Sequence, residues 1–409
     1  MKSALYLIII LFGLKISAYG QDSICHFETK FKEAIKFHPK ILEQIEANQA
    51  KFQTILSGKN LIAKRNPITI PVVFHIVWKQ EDDNISNERI LSQVETLNQV
   101  FTNSHPDITA IPAEFKSVIG NPNFRFCLAA QDPNGHPTNG ILRVQTTIDQ
   151  IGNSDSLFFT QLGGSSAWDT HKYLNIWVTS YSGFSGFSSF PEDGDSLRGG
   201  ILLYAQVVGL NDPEKQRGLG RAAVHEIGHY FGLHHIWGDD KVGQDTSCMN
   251  DDGFTDTPLQ SNPNRRCPDE YRPPPFSCGN FNMYVNFMDY SPDECLSMFT
   301  KQQTDYMLMM LETYRHGLLE NDGGCVISSK ETQSVGFKIY PNPARAQIKI
   351  LFNQPISQYA TLRIYDLRGI LVWQITDFLY SELEIIIPEF PQGIYFLKVG
   401  SQVQKLSIF

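Results

Sequence analysis

Apolar residues recur at helical spacing early in the chain: Phe27, Phe31, Ile35, Phe37, Ile41 and Ile45 stand out from a polar, lysine-rich stretch over 22–58. That spacing predicts one or two amphipathic helices with no core of their own. The pattern then switches, because Ile68 to Trp78 is apolar almost throughout, as a buried strand reads. Ser86 suits the N-cap of a helix reaching Phe101, with Ile90, Val94, Leu97 and Val100/Phe101 on one face. Strands are predicted at Phe124 to Ala130, Leu174 to Thr179 and Ile201 to Val208, and the Gly/Ser/Phe stretch from Ser182 to Phe190 has the composition of a loop. Arg217 to Phe231 reads as a helix. Residues 237–298 are rich in Asp, Asn, Pro and Cys and need staples to hold a shape. A closing helix runs from an N-cap at Thr300 through Leu318, and Asn321-Asp322-Gly323-Gly324 ends that domain.

Residues 337–409 alternate instead. Short strands are predicted at Phe337–Tyr340, Ile348–Phe352, Thr361–Tyr365, Leu371–Ile375, Leu383–Ile387, Ile394–Val399 and Lys405–Phe409. Pro341-Asn342-Pro343, Asp366-Leu367-Arg368-Gly369 and Pro391-Gln392-Gly393 supply turns between them, which predicts a small all-β sandwich. At 409 residues, with 42% hydrophobic and 12% aromatic content, the chain can fill the cores of two or three domains. A net charge of −9 offers no basic field to a nucleic acid.

The first 20 residues read as a secretory signal peptide: Met1-Lys2, an apolar run from Ala4 to Leu14, and small residues at Ala18-Tyr19-Gly20. A membrane anchor is the alternative, and the run is too short for one. No second spanning stretch follows, so the mature chain is expected to carry no transmembrane segment. Lys64-Arg65 lies between the helical stretch and the first strand, where a pro-segment over 21–65 would be cut; an ordinary N-terminal helix and loop is the other reading. Of the cysteines, Cys25, Cys127, Cys248, Cys267, Cys278, Cys295 and Cys325, four crowd into 248–295. In an exported chain two disulfides there are the natural expectation. A metal site built from these cysteines is the alternative, although no C-x₂-C pair is present. One cysteine of the seven must stay unpaired.

The string His225-Glu226-Ile227-Gly228-His229-Tyr230-Phe231-Gly232-Leu233-His234-His235 carries the chemistry. Residues four apart share a helix face, so His225 and His229 present two imidazoles to one point. Gly232 can take positive φ, end the helix and bring His235 in from another side. Three neutral imidazoles leave a fourth zinc position open, which is the catalytic pattern. Glu226, next to His225, is placed to serve as general base for a water there. His234 misses the spacing and is expected behind the ligands or at the surface.

H-E-x-x-H-x-x-G-x-x-H is the metzincin signature, and Asn286-Phe287-Met288-Asp289-Tyr290-Ser291 supplies the methionine turn of that clan. With Trp237-Gly238-Asp239, Asp251-Asp252-Gly253-Phe254-Thr255-Asp256-Thr257-Pro258 and Cys295-Leu296-Ser297-Met298-Phe299-Thr300, residues 60–320 resemble the pappalysin (cytophagalysin) family. The resemblance implies an α+β metzincin domain over 66–325, with a mixed, mostly parallel sheet, an active-site helix and a C-terminal subdomain. It also implies Met288 as an apolar floor under the histidines and Tyr290 as donor to the oxyanion. Disulfides Cys248–Cys278 and Cys267–Cys295 and structural calcium at Asp252, Thr255 and Thr257 are implied as well. The strand from Ile201 to Val208 would be the edge on which an extended substrate lies. Cys25 could supply a thiolate to the open zinc position, as in cysteine-switch proenzymes; a disulfide with Cys127 or Cys325, or a free thiol, are the alternatives.

Residues 337–409, after a linker over 326–336, resemble the sorting domain of the type IX secretion system. Ile339-Tyr340-Pro341-Asn342-Pro343, Ile364-Tyr365-Asp366 with Gly369, and Gly393-Ile394-Tyr395-Phe396-Leu397-Lys398-Val399 carry that likeness. A small carbohydrate- or protein-binding sandwich is the competing reading. The expectation is thus a secreted or cell-surface zinc endopeptidase, exported through the periplasm as a zymogen. It would act on proteins or peptides and engage the secretion machinery through 337–409. The alternative is a binding protein on a metalloprotease scaffold, which would be expected to have lost a ligand.

Overall fold

A computed structural model describes residues 25, 27–57, 67–180, 184–194, 197–212, 217–238, 248–249, 251–269, 271–320, 325, 336–345, 347–353, 358–379, 382–386, 390–399 and 402–409. The expected signal peptide, Lys64-Arg65 and Asn321 to Gly324 lie outside them. Helices α1 (Phe27–Phe37) and α2 (Lys40–Ser57) form from the first periodic stretch. They borrow a core: Phe31, Ile41, Ile45 and Phe52 are buried in the same apolar cluster as the domain that follows.

That domain is built on β1 (Ile68–Trp78). Its side chains alternate between faces, so Ile70, Val72, Phe74 and Ile76 join the main core while Val73 and Val77 enter two smaller clusters. Both faces are covered, which is why the run is apolar almost throughout. Helix α3 (Asn87–Phe101) follows, with the Ser86 hydroxyl accepting from the Arg89 amide. Strands β2 (Phe124–Leu128), β3 (Ile141–Gln145) and β4 (Leu174–Thr179) all pair parallel with β1. Beyond them come β5 (Gly186–Ser188) and β6 (Gly200–Tyr204), with β6 parallel to β4 and β5 antiparallel to β6.

Three expectations change here. The strand expected over Ile201 to Val208 stops at Tyr204, where the chain turns into a short 3₁₀ segment, Ala205–Val207. It lies between β4 and β5, so the sheet's edge is β5. The stretch from Ser182 to Phe190, expected as loop, therefore holds that edge strand. The helix expected from Arg217 begins later: β7 (Leu210–Asp212) and β8 (Arg217–Leu219) form a hairpin first, and α4 is Arg221–Tyr230. The Asp293 carboxylate accepts from the amides of Leu219 (2.8 Å) and Arg221 (3.3 Å) and so marks where the helix starts.

Among described residues, 248–298 contain only a two-residue hairpin, β9 (Phe276–Ser277) and β10 (Asn280–Phe281). Disulfides Cys248–Cys278 and Cys267–Cys295 staple this segment. Cys127 pairs with Cys325, and Cys25 belongs to none of the three disulfides among the described residues. Helix α5 (Lys301–Tyr314) opens with a capping box between Thr300 and Gln303 and ends before Leu318, the last residues forming a 3₁₀ turn. Strands β11 (Phe337–Tyr340), β12 (Gln347–Phe352), β13 (Gln358–Tyr365), β14 (Leu371–Leu379), β15 (Glu382–Ile386), β16 (Gly393–Val399) and β17 (Gln402–Ile408) make two antiparallel sheets, β11-β12-β15 and β14-β13-β16-β17. Ile348, Ile350, Leu362, Ile364, Leu397 and Leu406 fill a separate core between them. No helix among the described residues is long and apolar enough to cross a membrane.

Candidate metal centre

Helix α4 is buried along nearly its whole length, between the sheet and the segment after it. It ends in a left-handed C-cap. Gly232 has φ +85°, its amide donates to the His229 carbonyl (2.8 Å), and the Leu233 amide donates to the Gly228 carbonyl (3.0 Å). This turn swings His235 back toward the helix. The Nε2 atoms of His225, His229 and His235 then lie 3.1, 3.2 and 3.3 Å from one another.

Those separations have a simple meaning. Three nitrogens bound to one tetrahedral zinc at about 2.0–2.1 Å stand roughly 3.3 Å apart. The other ring nitrogens are fixed where the partners are seen: His225 Nδ1 donates to the Phe287 carbonyl (2.7 Å) and His229 Nδ1 to the Leu233 carbonyl (2.7 Å). Each bond selects the tautomer whose Nε2 lone pair faces the common point. Burial, then the neighbouring His235, pushes His225 down to about 3, and burial with the adjacent histidines holds His229 well below its usual value. These two imidazoles are therefore neutral, the form that binds metal. The set fits zinc.

Cys25 completes a group of four, its Sγ and the three histidine nitrogens all lying within 4.8 Å of one another, every residue buried. Its backbone bridges Gly186 on the edge strand in parallel sense. Its side chain also hydrogen-bonds Glu226, whose carboxyl burial pushes up to about 8 against that bond. A Cβ on Gly186 would lie 2.9 Å from Glu226 Cγ, so the glycine lets the edge strand close over the carboxylate.

Met288 is fully buried, with its sulfur where a Cβ on Gly228 would come within 2.4 Å. The missing side chain at Gly228 is what admits the thioether beneath the helix. Tyr290 packs against His235 (ring centroids 4.8 Å) and its hydroxyl donates to the Cys25 carbonyl (3.4 Å). Sequence reasoning passed over two further residues. Trp237 stacks on His235 at 4.4 Å and 11°, which supports the plane of that ring. Asp289 is buried and accepts from the amides of Asn264 and Tyr290 (both 2.9 Å), which ties the methionine turn to the disulfide segment; burial pushes its carboxyl up to about 6. Trp237 opens the string Trp237-Gly238-Asp239 and Asp289 lies within the methionine turn, but nothing local says what either would touch. His234 is not among the converging rings; it is buried with its ring edge-on to Phe31 of α1.

The Asp252, Thr255 and Thr257 trio is only partly drawn together. Thr257 donates to the buried Asp252 carboxylate (2.6 Å), whereas Thr255 accepts from the Gln302 amide (2.7 Å) and is exposed. A cavity of about 400 Å³ opens beside His225, lined among others by Ser185, Val207, Asp289, Pro292 and Glu294.

Comparison with known proteins agrees in kind. Residues 163–312 match the family described as Pregnancy-associated plasma protein-A, and 338–408 match a secretion system C-terminal sorting domain. An extracellular metalloprotease of Trichophyton verrucosum is 25% identical over 264 residues, covering 61% of this chain and 80% of that protein. Mature mirolysin of Tannerella forsythia, solved with a cleaved peptide, is 35% identical with a TM-score of 0.56, over 62% of this chain and 96% of that one. A promirolysin mutant from Tannerella forsythia is 31% identical with a TM-score of 0.62, over 72% of this chain and 96% of the other.

Proposed function

This chain belongs to the pappalysin family, that of pregnancy-associated plasma protein-A, and from that premise we propose that it is a zinc-dependent endopeptidase made as a zymogen and held latent by Cys25. Metallopeptidase activity follows from the family, and a secreted or cell-surface location from the extracellular relatives and the sorting domain. The observation that carries the finer reading is the convergence of the three Nε2 atoms within 3.1–3.3 Å, with a carboxylate on the next residue.

Zinc held there supplies Lewis acidity toward water and a peptide carbonyl. The Glu226 carboxylate takes a proton from the attacking water and returns it to the leaving amine nitrogen. The Tyr290 hydroxyl donates to the carbonyl oxygen as charge gathers on it. An extended substrate lies along β5, the true edge of the sheet, bonding backbone to backbone.

Latency is supported by the position of Cys25, whose thiol faces the three imidazoles and whose side chain occupies Glu226. Likeness also extends further over the promirolysin structure than over mature mirolysin, 72% against 62% of this chain. Calcium at Asp252 and Thr257 belongs to the same proposal, since a carboxylate and a hydroxyl side by side offer oxygen ligands to a hard cation; the Thr255 side chain is turned to Gln302 instead. Engagement of type IX machinery through 337–409 is proposed on the sorting-domain match. The scaffold-only alternative is not favoured, because His225, Glu226, His229, Gly232 and His235 are all kept. Removing metal from the processed enzyme with a chelator should abolish peptide hydrolysis, and about one equivalent of zinc should restore it. Hydrolysis that survives complete metal removal would refute the reading.

A further inference from the structure

We propose that the groove holding α2 is a helix-binding site in its own right, so that cutting the chain after α2 leaves the pro-segment bound there as an inhibitor. The inference rests on the zymogen reading and deepens it. Ile41, Ile45, Asn48 and Phe52 are the buried residues of α2, spaced to lie on one face, as in helices that bind by insertion into a groove. Phe52, 1% exposed, meets the rings of Phe254 (5.8 Å) and Tyr306 (5.2 Å) edge-on. The Asn48 amide donates to the buried Glu192 carboxylate (2.9 Å) and to the Tyr314 hydroxyl (3.0 Å). At the rim, Gln53 donates to the Gly253 carbonyl (3.2 Å).

None of these contacts involves the metal centre, where Cys25 sits. The two anchors are joined by α1, whose Phe31 packs on Phe190 (4.8 Å). The contacts named for the two anchors all lie outside 58–66, so a break there leaves them in place. It converts a tethered helix into a separate ligand and costs only the effective concentration that the tether supplied. The groove occupant is an amphipathic helix with a polar amide at its centre, matched to Glu192 and Tyr314.

The binding arm needs no activity. The full chain carrying Glu226→Ala, with a site-specific protease sequence placed within 58–66, is cut and passed over a sizing column at micromolar concentration. The pro-segment is expected to co-elute with 67–409. A labelled synthetic peptide of 40–57 should displace it, and the same peptide with Phe52→Ala should bind at least tenfold more weakly; the change sits in the peptide, so folding of the enzyme is untouched. Elution of the pro-segment alone, or equal binding of the two peptides, overturns the proposal. In the chain with Glu226 intact, activity should stay suppressed after the cut and appear once the pro-segment is displaced. Full activity on cutting alone counts against the groove, whereas inactivity after confirmed displacement counts against the zymogen reading instead.

Discussion

At position 228 a helix interior would ordinarily favour alanine, yet the chain places glycine there. The reason lies 60 residues downstream, in the sulfur of Met288, which would stand 2.4 Å from an added Cβ. Gly228→Ala should therefore cost about 1–3 kcal/mol by overpacking and tilt the two histidines on either side of it. Thermal unfolding and zinc content measured on one preparation check this; unchanged values in both would contradict it. The same position shows what a sequence can and cannot disclose. His225, Glu226 and His229 were legible because helical spacing alone sets their relation. Gly232 was legible because only a left-handed residue ends the helix and returns the chain at that point. The partners of Gly228, Trp237 and Asp289 were not, since each depends on contacts made by distant segments.

Among elements, the loop over 251–257 links chemistry to stability. Burial pushes Asp252 up to about 8, against hydrogen bonds from Thr257 and the Phe254 amide that favour its charge. A buried carboxyl whose folded pKa exceeds its unfolded value near 4 contributes fully at low pH, and that contribution is lost as pH rises through about 8. A bound divalent cation reverses the balance by pairing the charge. Calcium should accordingly raise Tm more at pH 8 than at pH 5, with about 1 kcal/mol appearing as roughly 2–4 °C, and Asp252→Asn should remove the difference. Equal calcium shifts at both pH values would exclude Asp252 as a ligand. Element boundaries were the least legible feature. Residues around Gly186 looked like loop because glycine and serine dominate them, but the edge strand needs small residues to pass over Glu226. The start of α4 was misplaced because its cap is the carboxylate of Asp293, far along the chain.

On the scale of the whole molecule, two cores separate the domains, and alternation along 337–409 made the second legible. The long-range closure was not legible: Cys127 on β2 is tied to Cys325, 198 residues on, where the first domain ends. Replacing both cysteines with serine should lower stability of the processed enzyme by about 2–4 kcal/mol, read from denaturant unfolding, while leaving peptide hydrolysis at low temperature intact. A loss of hydrolysis without a loss of stability would contradict a purely structural role. At the centre stands the proposal that three imidazoles and Glu226 form a hydrolytic zinc centre. The most direct measurement compares processed wild-type enzyme with Glu226→Ala for zinc content and peptide hydrolysis together. About one zinc per chain should remain in both, and hydrolysis should fall by about 10²–10⁴-fold in the variant. Undiminished hydrolysis with the zinc still bound would contradict that claim.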